Sequence, residues 1–493
     1  MPPVVPRADQ YDMACLVRLG DERTPENVDT EGGVVDARGE GFLVRTRRSP
    51  GRCGVIPRAA LMVALCVSGV GLAACSSKAS STSSTTASGP TTPVSTTPVS
   101  GSSGPSPGVT ADSVTVGQVD DLSSPIPGLF KGAEDGTQAY FAYINSKGGV
   151  NGRKIHLNGQ DSAFEPGQVA TETAAQINHD FALVGGFSLL DSAEQPLIDL
   201  AHMPDIGFSL SPGLATDPNL YSAQPNPIDN YPLGFFKYFA KKYPKAVKKV
   251  GIIWEDATAS TKAAENAVEA AMKASGWTVV YDHGVGPFYT DFLPDIISMR
   301  NKGVKLFFST ELPDNYAANV AKQFQQQNFK PINVEGAAYS DQLLKLAGSS
   351  ANNMYIEQGY ALYVGADAKT IPAVALFNKW MRKVDSAPNF EIEAVYGWTS
   401  AELFVQALQQ AGNPPTRAGL VEALNKITFF DGGALVPPSN PAAAIDSGCF
   451  LLAQVQNGAI KRVAPSPTLG FYCDNAAGYL KEPGYAPTVR PSS

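Results

Sequence analysis

Between residues 113 and 335 the chain changes hydrophobic period again and again, and that alternation restricts the architectures open to it. Residues 113–119 are β-branched and alternate apolar with polar, the period of a strand. Residues 130–146 follow with Phe130, Ala133, Ala139, Phe141, Ala142 and Ile144 at helical spacing. Gly148 and Gly149 stop that helix, Asn151-Gly152 makes a turn, and 154–157 opens a new strand. Helices are predicted at 171–178 and 192–202, with strands at 181–184 and 206–209. Strands alternating with helices build parallel sheets covered by helices.

The pattern then restarts. Helices are predicted at 231–242, 261–275, 292–301, 317–327 and 342–346, and strands at 250–254, 277–281, 304–309 and 332–335. The stretch from Val109 onward is too long for one core, so two αβ units of similar length predict two lobes. Helices return at 373–384 and 396–410. The segment "CFLLAQVQNGAIKRV" reads as two strands around Asn457-Gly458.

Upstream of Val109 the periodicity is lost. An apolar run over 59–74 follows Arg45, Arg47, Arg48, Arg52 and Arg58 and ends on Cys75. It is shorter than the roughly 20 residues that span a bilayer. A basic flank, a short apolar core and small residues at its end describe a secretory signal. "LAAC" (Leu72–Cys75) resembles the lipobox of bacterial lipoproteins, which implies a lipidated Cys75 anchored to the outer face of the cytoplasmic membrane. Residues 76–108 are nearly all Ser, Thr, Pro and Gly and cannot bury enough surface to offset ordering entropy. They read as a tether with an end-to-end distance of roughly 30 Å. Residues 1–58 hold the basic flank and, over 1–44, a mixed-charge extension that is either cytosolic or the product of a start codon placed too early.

A net charge of −8 gives no basic face for nucleic acid. Once Cys15, Cys53, Cys66 and the lipidated Cys75 are set aside, Cys449 and Cys473 remain, an even pair that implies a disulfide in an exported chain; two free thiols are the alternative. No metal-type Cys/His spacing occurs, and no cofactor motif, G-x-S-x-G elbow, H-E-x-x-H or phosphate loop is present, so binding is favoured over catalysis.

Several segments fall in the order seen in one family: "GGVNGRKIHLNGQDSAFEPGQVATETAAQI", "LVGGF", "FSLSPGLATDPN", "VKKVGIIWEDATAS", "TDFLPDIISMRNKGVKLFFST" and "INVEGAAYSD". Over residues 114–412 the chain resembles the type 1 periplasmic binding proteins, and within them the branched-chain amino acid (Leu/Ile/Val) binding proteins of ABC importers. The resemblance implies an α/β fold of two lobes, with parallel sheets flanked by helices and three crossover hinge strands. Lobe 1 is expected to comprise 109–225 plus 360–430, and lobe 2 to comprise 226–359 plus 431–493. It also implies a monomer that closes on a small polar ligand, an amino acid or amide, and hands it to a membrane permease. An anchored sensor built on the same fold is the alternative.

Parallel sheets bind ligands beyond the carboxyl ends of their strands. That rule selects Ser188, Asp191, Ser192, Ser209, Ser211 and Thr216 in the first lobe, and Trp254, Glu311 and Glu335 in the second. By resemblance the serine region receives a ligand carboxylate, aided by the helix start at Ser192. Asp191 and Ser192 also fit capping boxes with Glu194 and Gln195, and a capping carboxylate at Asp191 would occupy the N–H groups an amino acid needs. Glu335, in "VEG", matches the acid that pairs with a ligand ammonium; a solvated loop glutamate is the other reading. Trp254 either stacks on the ligand or packs between the lobes.

Overall fold

The computed structural model describes residues 106–123, 130–211, 217–225, 233–310, 312–336, 338–386, 388, 390–444, 448–465 and 470–473, all within the unit Thr96–Ser493. The extension, the signal, Cys75, most of the tether, Thr216 and Glu311 lie outside the described residues. No helix among those described is long and apolar enough to cross a membrane.

The first half runs β1 (Ser113–Asp120), α1 (Lys131–Ser146), β2 (Lys154–Asp161), α2 (Pro166–His179), β3 (Leu183–Val184), α3 (Gln195–Ala201), β4 (Asp205–Ile206) and β5 (Leu220–Tyr221). Its strands form one parallel sheet in the order β2-β1-β3-β4-β5. Val114 and Val116 of β1 are fully buried, as their alternation requires. Gln176 of α2 stitches two strands to the helix above them, its Nε2 donating to the carbonyls of Gln118 (3.0 Å) and Asn158 (2.9 Å).

The second half runs α4 (Leu233–Lys242), β6 (Val250–Glu255), α5 (Ala259–Ala274), β7 (Val279–Val285), α6 (Leu293–Asn301), β8 (Leu306–Thr310), α7 (Asp314–Gln326), β9 (Ile332–Glu335), α8 (Asp341–Ala347) and β10 (Tyr355–Gln358). After α9 (Pro372–Val384), α10 (Ile392–Leu408) and α11 (Arg417–Leu424) come β11 (Leu451–Gln456) and β12 (Ala459–Ala464). The second sheet has the order β12-β11-β10-β9-β8-β6-β7. It is parallel except for the β11–β12 hairpin, which pairs antiparallel with β10. Asn457 and Gly458 both have positive φ, 54° and 73°, which a two-residue hairpin turn demands.

Alternation places this sheet between two layers of helices. Ile252 and Phe308 pack with Phe235, Phe236 and Trp277 on one face, while Ile253 and Phe307 pack with Ile296, Val320 and Phe324 on the other. The predicted disulfide joins Cys449 to Cys473 beside the Phe450–Tyr472 bridge, at the root of the hairpin.

Helix α10 follows the second sheet in β10 by sequence yet packs on α1, β3 and β4 of the first. Glycine makes the approach possible. A Cβ at Gly136 would collide with the carbonyl of Ala394, and one at Gly397 with that of Ala133. This close crossing fixes the start of α10 over the start of α1.

The helix predicted at 192–202 is interrupted. Asp191–Ala193 forms one 3₁₀ turn and α3 begins only at Gln195, where Pro196 supplies an N-terminal residue with no N–H to satisfy. The strand predicted at 206–209 ends at Ile206, because the following backbone is drawn to the Asp191 side chain.

Candidate functional site

The carboxyl edge of the first sheet is built from the protein's own carboxylates, each accepting backbone N–H groups. Asp120 accepts from Phe187 N (2.8 Å) and from Gln118 Nε2 (2.7 Å). Asp121 accepts from Leu189 N (2.9 Å), from Ser188 Oγ (2.8 Å) and from Ser162 Oγ. Asp161 accepts from Leu122 N, Ser123 N and Ala163 N at 2.9–3.1 Å. Asp191 accepts from Leu210 N (2.7 Å), Ser211 N (3.1 Å) and Ser211 Oγ. At the start of α1, Gly132 N donates to Glu391 Oε1 (2.7 Å). Burial raises the pKa of Asp120, Asp121 and Asp191 even against these hydrogen bonds.

Of the first-lobe residues selected from sequence, Ser188, Asp191, Ser209 and Ser211 are brought to this edge and all four are buried. Ser188 Oγ donates to Asp121 and accepts from Leu190 N (3.0 Å), and Ser209 Oγ donates to the carbonyl of Ser211 (3.2 Å). Ser192 is exposed in the 3₁₀ turn. Asp191 does not cap a helix. Its carboxylate reaches across to the loop after β4 and ties it down.

Above this edge lies an aromatic wall. Phe208 and Tyr396 stack at 4.1 Å between ring centres, Phe187 stacks on both, and Phe130 meets Phe187 edge-on at 4.6 Å. Phe208 and Tyr396 are only partly buried, so part of the wall faces outward.

Glu335 ends β9 and is fully buried. Ser309 Oγ donates to its Oε2, while Oε1 accepts no hydrogen bond among the described residues. Burial lifts its pKa to about 7; hydrogen-bonding groups at Ser309 and Asn333 oppose the rise, and Asp314 adds to it. Tyr360, two residues beyond β10, is also buried, and its hydroxyl has no hydrogen-bond partner among the described residues. Burial raises its pKa, and Tyr396, Glu393, Tyr339 and Asp314 raise it further. Glu391 is likewise raised by burial, then by Glu393 and Asp314. Asp314 therefore acts on Glu335 of β9 and on Glu391 before α10, and Tyr360 feels charges from both sides. The Tyr339 ring after β9 and the Tyr360 ring after β10 lie 6.0 Å apart, and Tyr363 stacks with Phe390 at 6.4 Å, which sets these loops beside the start of α10, the helix that supplies Tyr396 to the aromatic wall.

Trp254 is buried against the second sheet. Its Nε1 donates to Asp282 (2.9 Å), and Lys262 Nζ lies 4.3 Å from its ring centre, so its ring is held inside its own layer. Asp282 in turn groups with Glu265 and Glu269, their carboxylate oxygens within 4.8 Å of one another. Burial, with Asp282 and Glu269 adding, raises Glu265 to about 9, so Glu265 holds a proton at neutral pH and the trio carries less charge than its composition suggests.

Sequence reasoning missed Tyr360, Glu391, Glu393, Tyr396 and the aromatic wall. The signals were two acids and a tyrosine opening an apolar helix in "FEIEAVY", and a tyrosine soon after a strand in "QGYALYV".

A family model described as periplasmic binding protein matches residues 113–459. The fold is similar to a fatty acid ABC transporter substrate-binding protein from Thermomonospora curvata, at 19% identity over 76% of this chain and 96% of that one, with a TM-score of 0.63. It is also similar to a branched chain amino acid ABC transporter protein from Thermus thermophilus with bound valine: 14% identity, 75% and 98% coverage, TM-score 0.64. A branched-chain amino acid transporter substrate binding protein from Streptococcus pneumoniae in complex with isoleucine matches at 19% identity, 72% and 100% coverage and a TM-score of 0.58. No curated protein matches.

Proposed function

The chain belongs to the periplasmic binding protein family, and from that membership we propose that it is an extracytoplasmic solute-binding protein, lipid-anchored through Cys75. It captures a small ligand between the carboxyl edges of its two sheets and delivers it to an ABC permease in the membrane. The lobes are 109–225 plus 360–430 and 226–359 plus 431–493. The neighbours named for ABC transporters support delivery, and their ligands differ among themselves, so they do not choose one for this chain.

The observation that carries this reading is Glu335. A fully buried carboxyl group with one oxygen that accepts no hydrogen bond among the described residues, at the carboxyl end of a parallel strand, is costly unless something else completes it. Ligand that touches both lobes only in the closed form shifts the open–closed equilibrium by its differential affinity. The test is a thermal-shift survey of the purified protein against fractions of a small-metabolite extract. At one hundred times Kd a ligand stabilises by about 2.7 kcal/mol, an easily read shift. A protein whose melting point no fraction moves is not a solute-binding protein of this kind.

A further inference from the structure

We propose that the amino edge of the second sheet is a docking face for the anionic lipid headgroups of a membrane. This rests on the anchored solute-binding reading above and adds an orientation to it.

The chain leading into the parallel strands of that sheet is basic. Segments 241–249, 273–278, 300–305 and 327–331, which enter β6, β7, β8 and β9, carry ten Lys and Arg and no Asp or Glu, and all ten are exposed. The segment 348–354, which enters β10, has no charged residue. Parallel pairing brings the starts of these strands to one edge. Backbone hydrogen bonds then hold the segments side by side. Thr278 N donates to the carbonyl of Val247 (2.8 Å), Lys305 N to that of Lys249 (2.8 Å) and Ile332 N to that of Lys305 (2.9 Å). Lys248 Nζ reaches across to the carbonyl of Gly276. The overall charge of −8 averages over this face and conceals it.

Helix dipoles account for part of the charge. Lys241, Lys242, Lys273 and Arg300 stand in the last turns of α4, α5 and α6, where a cation meets unpaired carbonyls. Lys245, Lys249, Lys305 and Lys330 lie outside every α-helix, so no dipole requires them. Ion pairing does not explain them either: among the described residues, no ion pair joins any of the ten to a carboxylate. Like charges gathered on one face repel one another, and an anionic surface opposite them turns that cost into attraction.

A bilayer is the anionic partner that an anchored chain keeps at hand. Residues 76–108 reach roughly 30 Å from a lipidated Cys75, so headgroups are present at high effective concentration. Each Lys or Arg close to such a surface multiplies the partition by about five. Strand starts lie at the opposite edge of the sheet from the carboxyl ends, so docking there leaves the ligand-binding edge free.

The experiment is flotation of the purified chain with vesicles of phosphatidylcholine alone or mixed equally with phosphatidylglycerol. The chain used runs from residue 76 onward: it lacks the signal, the arginine flank and Cys75 and keeps the whole compact unit Thr96–Ser493. Retention is expected on the mixed vesicles, not on the neutral ones, and salt should release it. Lys245→Gln, Lys249→Gln and Lys305→Gln together should weaken partition by roughly a hundredfold, at about fivefold for each. Lys154→Gln, Lys369→Gln and Lys379→Gln together remove the same charge from exposed lysines of other segments and should leave it unchanged. Melting points check that both triple variants fold. No retention on the mixed vesicles, equal retention on neutral ones, or equal losses in the two variants would overturn the proposal. Binding of a DNA duplex by a chain that ignores the vesicles would overturn it too and make the partner a soluble polyanion. The metabolite-fraction survey judges the solute-binding reading by itself, because none of these outcomes depends on a captured ligand.

Discussion

Replacing Asp191 separates hydrogen-bond geometry from charge at the first edge. One carboxylate oxygen accepts both Leu210 N and Ser211 N, and the other accepts Ser211 Oγ. Asparagine keeps that shape: its carbonyl faces the two N–H groups and its amide donates to a reoriented serine hydroxyl. It forfeits the charge-assisted part of three hydrogen bonds, about 1 kcal/mol each. Against this, burial has raised the Asp191 pKa despite all those donors, so desolvating the charge costs more than the donors return. The two effects nearly cancel, and Asp191→Asn is expected to change stability by less than about 1 kcal/mol. Asp191→Ala removes the acceptors altogether and strips the buried loop of its tie, at a cost of roughly 3 kcal/mol or more. Urea unfolding of the two variants beside the parent gives the comparison. Equal losses would mean that negative charge, not the acceptor geometry, holds the loop after β4. A harmless alanine would mean that the loop is not held by Asp191 at all.

Other consequences are as direct. Glu335 and Glu402 are raised to about 7, Asp205 to about 8 and Glu265 to about 9, in each case first by burial. The folded chain therefore binds more protons than the unfolded one above about pH 4.5, so their contribution is full below that pH and is lost as pH rises through 7 to 9, each group costing at most about 1.4 kcal/mol per pH unit. Melting points measured from pH 5 to pH 9 should fall; a flat or rising profile contradicts the burial of these acids. Paired Cys449→Ser and Cys473→Ser should lower stability by roughly 3 kcal/mol, from the loop entropy of the 24-residue separation, and unchanged denaturation would deny the bond a structural role. Cys75→Ala should move the protein from the membrane fraction to the soluble or medium fraction, and full membrane retention would exclude lipid anchoring at that residue.

The sheets were legible because burial on one face or two writes itself into local periods: 2 in Val114 and Val116, helical along α1, and the Asn457-Gly458 turn between two strands. That Glu335 closes a strand was legible from the β-branched run before it, and the structure ends β9 on it. The rest of the site depends on which distant segments meet. Glu391 reaches Gly132 only because α10 returns across α1 at Gly136 and Gly397, a close approach that no local pattern announces. Asp191 looked like a helix cap because a cap needs nothing beyond its neighbours, whereas its real partners stand about twenty positions away in the loop after β4. Trp254 looked available at a strand end, but Asp282 and Lys262, from β7 and α5, hold it in its own layer.

Capture between two lobes is tested most directly by the distance between the two carboxyl edges. Glu165, just before α2 on the first sheet, and Asp256, just after β6 on the second, are both exposed. Cysteines at these two positions, with Cys449 and Cys473 left in their disulfide, carry a pair of spin labels for a pulsed distance measurement. Saturation with the tightest binder from the thermal-shift survey should shift the distribution to shorter and narrower distances, the signature of lobes closing on a ligand. An unchanged distribution under a saturating ligand would contradict capture by closure.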